Sequence, residues 1–150
     1  VAVFREKPYS GVNFVVDLGN GETEGSEAGL VEIIFPDARV HTFEYRNGNE
    51  KSNESRKLQT ITRYGNLILK RGVIGSLTWY NWWNATRNGE QSSARNIKIS
   101  LLNEDHSAVV LTWVFRMAHP VNYRFSPLNA IEAEALTELL EVAFERFDIE

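Results

Sequence analysis

"LTWYNWWNATRNG", residues Leu77 to Gly89, holds three of the chain's four tryptophans within five positions. Exposed, such rings make a platform on which a sugar or a base stacks; buried, they are the inner side of a helix that belongs to the core. Trp79, Trp82, Trp83 and Thr86 fall at i, i+3, i+4 and i+7, one stripe of an α-helix, with Tyr80 beside it. Ser76 suits an N-cap and Asn88-Gly89 a C-terminal stop, so the spacing predicts a helix over about 77–88. A helix this short must bury a face to be stable, and each tryptophan brings roughly 150–250 Å² to that burial. Trp79, Trp82 and Trp83 are therefore expected to be the packing core of one flanking helix.

Around that helix the pattern is extended. "GVNFVVDL" places Val12, Phe14, Val16 and Leu18 on one side of a period-two repeat. "GNGETEGSEAG", residues 19–29, sustains no apolar face and reads as a loop. "LVEIIF" is strand-like up to Pro36-Asp37, and Val40 to Tyr45 is β-branched and aromatic enough for another strand. "LQTITRYGNLILKRGV" resumes the strands, interrupted at Gly65, where a bulge or a close backbone approach is expected; Gly72 and Gly75 bracket a turn. "ARNIKISLLN" and "SAVVLTWVFRM" form a hairpin about the turn "EDH", and Trp113 and Phe115 alternating with Val114 mark a central strand. After His119-Pro120, "VNYRFSPLNA" mixes extended chain and turns. The tail "AEALTELLEVAFERF" reads two ways. Leu136, Leu139, Leu140, Ala143, Phe144 and Phe147 make a helical stripe; an extended chain puts Leu136, Leu140, Val142 and Phe144 on one face, with Glu138 as the exception.

"RNGNEKSNESRK", Arg46 to Lys57, is twelve residues without an apolar side chain. Loops of this length in a small domain are uncommon and are functional or disordered. Ordering it costs roughly 12–24 kcal/mol of backbone entropy, so it is expected to stay mobile until a partner fixes it. Arg46, Lys51, Arg56 and Lys57 against Glu50 and Glu54 leave it at +2, whereas Glu132 to Glu150 carries seven acids against Arg146. Opposite patches on two ends of one subunit favour head-to-tail association.

The totals narrow the function. At 150 residues the chain is the size of one domain. The absence of cysteine excludes disulfides, thiolate metal sites and cysteine nucleophiles. A net charge of −4 argues against a general nucleic-acid binder. No run approaches the ~18 apolar residues of a membrane span, so a soluble protein is expected. His41, His106 and His119 match no metal-ligand spacing, and the sequence has no nucleophile elbow, P-loop or dinucleotide fingerprint. No catalytic, metal-binding or cofactor-binding residue is therefore assigned, and no cofactor is expected.

Several strings in this order resemble the tail tube proteins of contractile phages and of extracellular contractile injection systems. "RKLQTITRYGNLILKRGV", Arg56 to Val73, is similar to the family's basic-leucine start, tyrosine-glycine-asparagine centre and lysine-arginine-glycine end. The tryptophan-bearing helix "WYNWWNATRNGE" follows, then the hairpin "RNIKISLLNEDHSAVVLTWVFRMAHPVNYRFSPLNA". "VNFVVDL" resembles the opening strand and "ELLEVAFERFD" the closing one; the stretch Gly29 to Tyr45 departs from the family pattern, with "FPDA" as a variant turn. The likeness spans about residues 11–148.

The resemblance implies a single tail tube domain over residues 1–150, mainly β, a sandwich or barrel-like protomer with one short helix at about 77–88 and a long polar loop at 46–57. It implies a non-enzymatic subunit that closes into homohexameric rings, which stack head to tail into a hollow conduit inside a sheath. Sheath and baseplate proteins are the implied partners, with cargo in the lumen and neither membrane nor sequence-specific nucleic acid. Assembly in the bacterial cytoplasm and incorporation into a phage-like or extracellular particle follow. Arg46, Asn47, Asn49, Glu50, Lys51, Glu54, Arg56 and Lys57 are the implied ring-to-ring contacts, and the tail is implied to be strand. A specialised initiating or terminal ring at the baseplate is the variant of this reading. The rival of a different class is a carbohydrate-binding β-sandwich module stacking sugars on Trp79, Trp82 and Trp83.

Overall fold

The structure, a computed structural model, describes residues 1–21, 23, 25 and 29–150. In chain order these form β1 (Phe14–Asp17), β2 (Glu32–Ile34), β3 (Ala38–Tyr45), β4 (Arg56–Tyr64), β5 (Leu67–Gly72), α1 (Thr78–Arg87), a 3-10 turn at Gln91–Ser93, β6 (Arg95–Leu102), β7 (Val109–Phe125), β8 (Thr137–Ala143) and β9 (Arg146–Ile149). The strands pair antiparallel throughout. Seven of them make one path, β1-β6-β7-β8-β5-β2 with β9 added on β7, and β3 and β4 pair only with each other. The loop expected at 19–29 lies partly outside the described residues.

The 17-residue strand β7 joins the two arms of the path. Its first half lies between β6 and β9, and from His119 onward it pairs with β8. The change of partner falls at Met117, whose backbone takes φ 55° and whose N–H donates to Asn96 Oδ1 at 3.1 Å. A register shift follows at Pro120, which is fully buried. Proline lacks the ladder N–H and is tolerated in a sheet at such an irregularity. The segment after His119-Pro120, expected to mix extended chain and turns, is strand to Phe125 and leaves the sheet from Ser126.

Folding the path over at this bend brings alternate side chains of five strands together: Val16, Leu67, Leu69, Ile97, Ile99, Phe115, Leu140 and Val142 are all buried in one cluster. Phe115 meets Phe144 and Phe147 with ring centroids at 4.9 and 5.6 Å. The extended reading of the tail holds. β8 alternates with Glu138, Leu140 and Val142 inside, because β5 on one side and β7 on the other hydrogen-bond it along its length. Helical period loses to a slot already bounded by two strand edges. Val12, expected on the inner face of β1, is 76% exposed, and the strand starts at Phe14.

The helix α1 spans ten residues and packs on β7. Trp79 and Trp82 are each 1% exposed, while Trp83 is half-buried between Arg87, 4.6 Å over its ring, and Tyr123. Trp82 Nε1 donates to the carbonyl of Ser93 at 2.6 Å, tying the helix to the 3-10 turn. Leu77, not Ser76, occupies the N-cap position; Ser76 Oγ accepts the N–H of Thr78 at 3.3 Å instead. At the other end the N–H of Gly89 reaches the carbonyl of Thr86, and that of Glu90 the carbonyl of Ala85. Gly89 sits at φ 78°, so this is a Schellman close that a side chain at position 89 would strain.

Replacing Trp79 or Trp82 by alanine is expected to lower unfolding stability by roughly 3–5 kcal/mol each, and Trp83→Ala by clearly less. Urea denaturation followed by circular dichroism measures the difference.

Candidate assembly surface

The polar stretch Arg46 to Lys57 caps a ribbon. β3 and β4 pair from Ala38↔Tyr64 out to Tyr45↔Arg56, so Arg56 and Lys57, expected in the loop, are strand residues and the tip is residues 46–55. Every β3 residue is exposed, as is every β4 residue except Tyr64. Among the described residues, neither outer edge of this ribbon has a strand partner. At its root, Tyr64 packs on Phe144 and Phe147, both at 5.3 Å. Gly65 donates its N–H to the carbonyl of Asp37 at 3.0 Å, and a Cβ at Gly65 would come within 2.5 Å of Asp37 Oδ1. That is the close approach expected there.

The tip is organised by its own residues. Arg46 donates to the carbonyls of Ser52 and Glu50, both at 2.9 Å, and Tyr45 Oη bonds Asn47 Oδ1 at 2.5 Å. Glu50 lies 3.5 Å from Arg56 and donates its N–H to the carbonyl of Asn47. The tip thus carries its own set of hydrogen bonds. Asn49, Lys51 and Glu54 point into solvent, and Lys57 stands opposite Glu44.

The acid-rich end is smaller than its sequence suggests. Glu138 is buried and ion-paired with Arg71, which stands directly opposite it across β5 and β8. The second oxygen of Glu138 accepts from Tyr123 Oη at 2.6 Å, Arg71 also reaches Thr78 Oγ1 at 3.3 Å, and its guanidinium lies 4.2 Å over the Trp79 ring. Burial, and then the hydrogen bond to Glu138, pushes the Tyr123 hydroxyl well above the usual phenol range. Asp148 is bonded to both Arg116 and Arg146 at 3.0 Å, and these bonds hold its carboxyl below the usual range. Sequence reading missed Arg71 and Tyr123. The signal was there: Leu67, Leu69 and Arg71 alternate, as do Glu138, Leu140 and Val142, so one base and one acid interrupt two facing apolar rows.

Among the described residues no three histidine or acidic side chains gather where they could hold a metal ion. The strands at the two ends of the main path, β1 and β2, each keep one edge without a strand partner among the described residues. Residues 10–148 match the family model of the T4-like virus tail tube protein gp19. The chain belongs to that family.

It is thus a structural subunit of the tail tube kind, and solved structures share its fold. A chain of the anti-feeding prophage tube-terminating cap structure aligns at TM-score 0.83 and 24% identity, covering 100% of this chain and 95% of that one. A chain of the anti-feeding prophage baseplate aligns at 0.81 and 24%, covering 97% of both. A chain of the sheath-tube complex of the extracellular contractile injection system PVC aligns at 0.80 and 21%, covering 97% and 93%. No curated protein sequence matches significantly. Trp79 and Trp82 do not form a sugar platform, because they offer almost no surface to a ligand, and Trp83 is half-buried beside them.

Removing one partner of the buried pair strands a charge. Arg71→Ala and Glu138→Ala are each expected to cost roughly 3–5 kcal/mol, while the double change Arg71→Met with Glu138→Leu recovers most of it. Chemical denaturation of the three variants checks both halves of the expectation.

Proposed function

We propose that six copies of this chain close into a ring, that rings stack head to tail into a hollow conduit, and that the β3–β4 ribbon of one subunit contacts a subunit of the neighbouring ring. The observation that carries this reading is the ribbon itself: a two-stranded sheet standing clear of its own body with both edges unpaired among the described residues. An isolated two-stranded hairpin is marginally stable in water, and bare strand edges invite pairing with another chain. The open edges of β1 and β2 pose the same demand at the rim of the main sheet. Closure around an axis meets it without leaving a free edge, and a contact repeated six times per ring becomes firm even where each copy is weak.

In this reading the subunit is non-enzymatic and binds no cofactor. Arg46, Asn47, Asn49, Glu50, Lys51, Glu54, Arg56 and Lys57 contribute to the ring-to-ring contact through the tip's folded shape as much as through its charge. Sheath and baseplate proteins surround the tube and cargo occupies its lumen. The tube assembles in the bacterial cytoplasm and leaves it as part of a particle. A specialised ring is the second reading, favoured by the likeness to a terminating cap and a baseplate chain.

Negative-stain electron microscopy of the concentrated chain is expected to show six-fold rings and stacked tubes; a monomer at every concentration overturns the reading. Replacing Asn47–Glu54 by a two-residue turn is expected to leave rings and abolish stacks, which sedimentation velocity resolves. Immunogold labelling of the native particle separates the two readings, since a shaft subunit decorates the whole length and a specialised ring decorates one position.

A further inference from the structure

The β3–β4 ribbon changes its apolar face part-way along. Directly opposed residues of antiparallel strands share a face, and successive residues alternate faces. Near the root, Ala38, Val40, Thr62 and Tyr64 lie on one face, and Arg39 opposes Arg63 on the other. The register then shifts between Val40 and Thr42, setting His41 against Thr60 and Ile61. Beyond that bulge the first face carries Thr42, Glu44, Lys57 and Gln59, all polar, while the second carries Phe43, Tyr45 and Leu58 with Arg56. At the root, Tyr64 covers the body's own Phe144 and Phe147, while Val40 on the same face is 51% exposed. Nothing in the described chain covers the distal one: Phe43 and Tyr45 are 47% exposed and Leu58 42%.

The same subunit carries a matching recess. A slot of about 280 Å³, lined by Phe14, Val31, Phe35, Leu101 and Trp113 with Glu32 at its rim, opens between β1 and β2. Both strands keep an outer edge unpaired among the described residues, as does β9. Val31 is 65% exposed and Phe35 43%. The ribbon cannot fill its own slot. Phe35 lies just before the root at Ala38, and a strand rise of ~3.3 Å per residue carries Phe43 roughly 17 Å beyond Ala38. Knob and slot on one chain that cannot meet within it make a heterologous contact, the kind that generates rings and stacks.

Resting on the assembly proposed above, we propose that the distal face Phe43–Tyr45–Leu58 docks into the Phe14–Val31–Phe35–Trp113 slot of a second copy of this chain, with Arg56 facing the partner's Glu32. The opposite face, Thr42, Glu44, Lys57 and Gln59, stays in water. Burial of the apolar face supplies the attraction, and the arginine orients it. The bulge adds a residue to β4 and so turns Leu58 to the face that Phe43 and Tyr45 hold on the unbroken alternation of β3.

The chain's lack of cysteine makes the test direct. Phe43→Cys and Thr42→Cys are each labelled with a maleimide, first as unassembled chain and then in sedimented tubes. Position 43 is expected to react at least about tenfold more slowly in tubes and position 42 at nearly its free rate, since interface cores exclude water. Mild oxidation of tubes co-assembled from Phe43→Cys and Val31→Cys chains is expected to give covalent dimers on a gel, well above a Thr42→Cys and Val31→Cys mixture. Equal reactivity of positions 42 and 43 in tubes, protection of 42 instead of 43, or cross-linking no greater than the control each overturns the proposal. Should Phe43→Cys fail to assemble, its cross-strand partner Leu58→Cys takes the same measurements. Failure of both to assemble, with native circular dichroism and with Thr42→Cys assembling normally, supports the docking. Absence of wild-type tubes is a separate outcome and removes the assembly itself, whatever the labelling shows.

Discussion

β7 hydrogen-bonds to β6, β8 and β9, and this sharing of one strand between the two arms of the sheet constrains everything around it. A straight strand would keep all its neighbours in one open layer. The positive φ at Met117 and the register shift after Pro120 turn the chain, so the arm of β5 and β8 closes over that of β1 and β6. The strained residue is held by a side chain, Asn96, which accepts its N–H. From that bend follow the slot that makes the tail a strand and the surface on which the tryptophan helix lies.

The second organising contact is the buried pair Arg71–Glu138. Isolated charges at such burial are costly, and this pair is satisfied from four sides: by each other, by Tyr123, by Thr78 and by the face of Trp79. The partners belong to β5, β7, β8 and α1, so one polar cluster fixes cross-strand register and helix position together. A one-residue slip of β8 would turn Glu138 to the outer face and leave Arg71 alone inside.

What the body satisfies, the ribbon does not. The core buries its apolar rows and pairs its inner strands, whereas β3 and β4 are exposed along their length and β1 and β2 each keep a bare edge among the described residues. A monomer built this way carries surface that water disfavours and that its own fold cannot reach. In the assembly proposed above, other copies of the chain complete that surplus. There, the bonds from Arg46 to the carbonyls of Glu50 and Ser52 reduce the ordering that a contact at the tip costs.

Local pattern alone determined a good deal. Period-two runs placed β1, β5 and the start of β7, β-branched and aromatic content placed β3, and the hairpin signal placed β6. The i, i+3, i+4 spacing placed the helix, and Asn88-Gly89 its end, because these depend on alternation and backbone propensity within a few residues. The ordered strings named the family. Tertiary structure decided the rest. Whether "LTELLEVAF" is helix or strand depended on two edges supplied by residues 67–72 and 119–125, and whether Glu138 is surface or core depended on Arg71, 67 positions away. The passage of β7 through Pro120 and the placing of Leu58 opposite Phe43 likewise arise from register between strands. Register is a relation between distant segments, and no short window of sequence contains it.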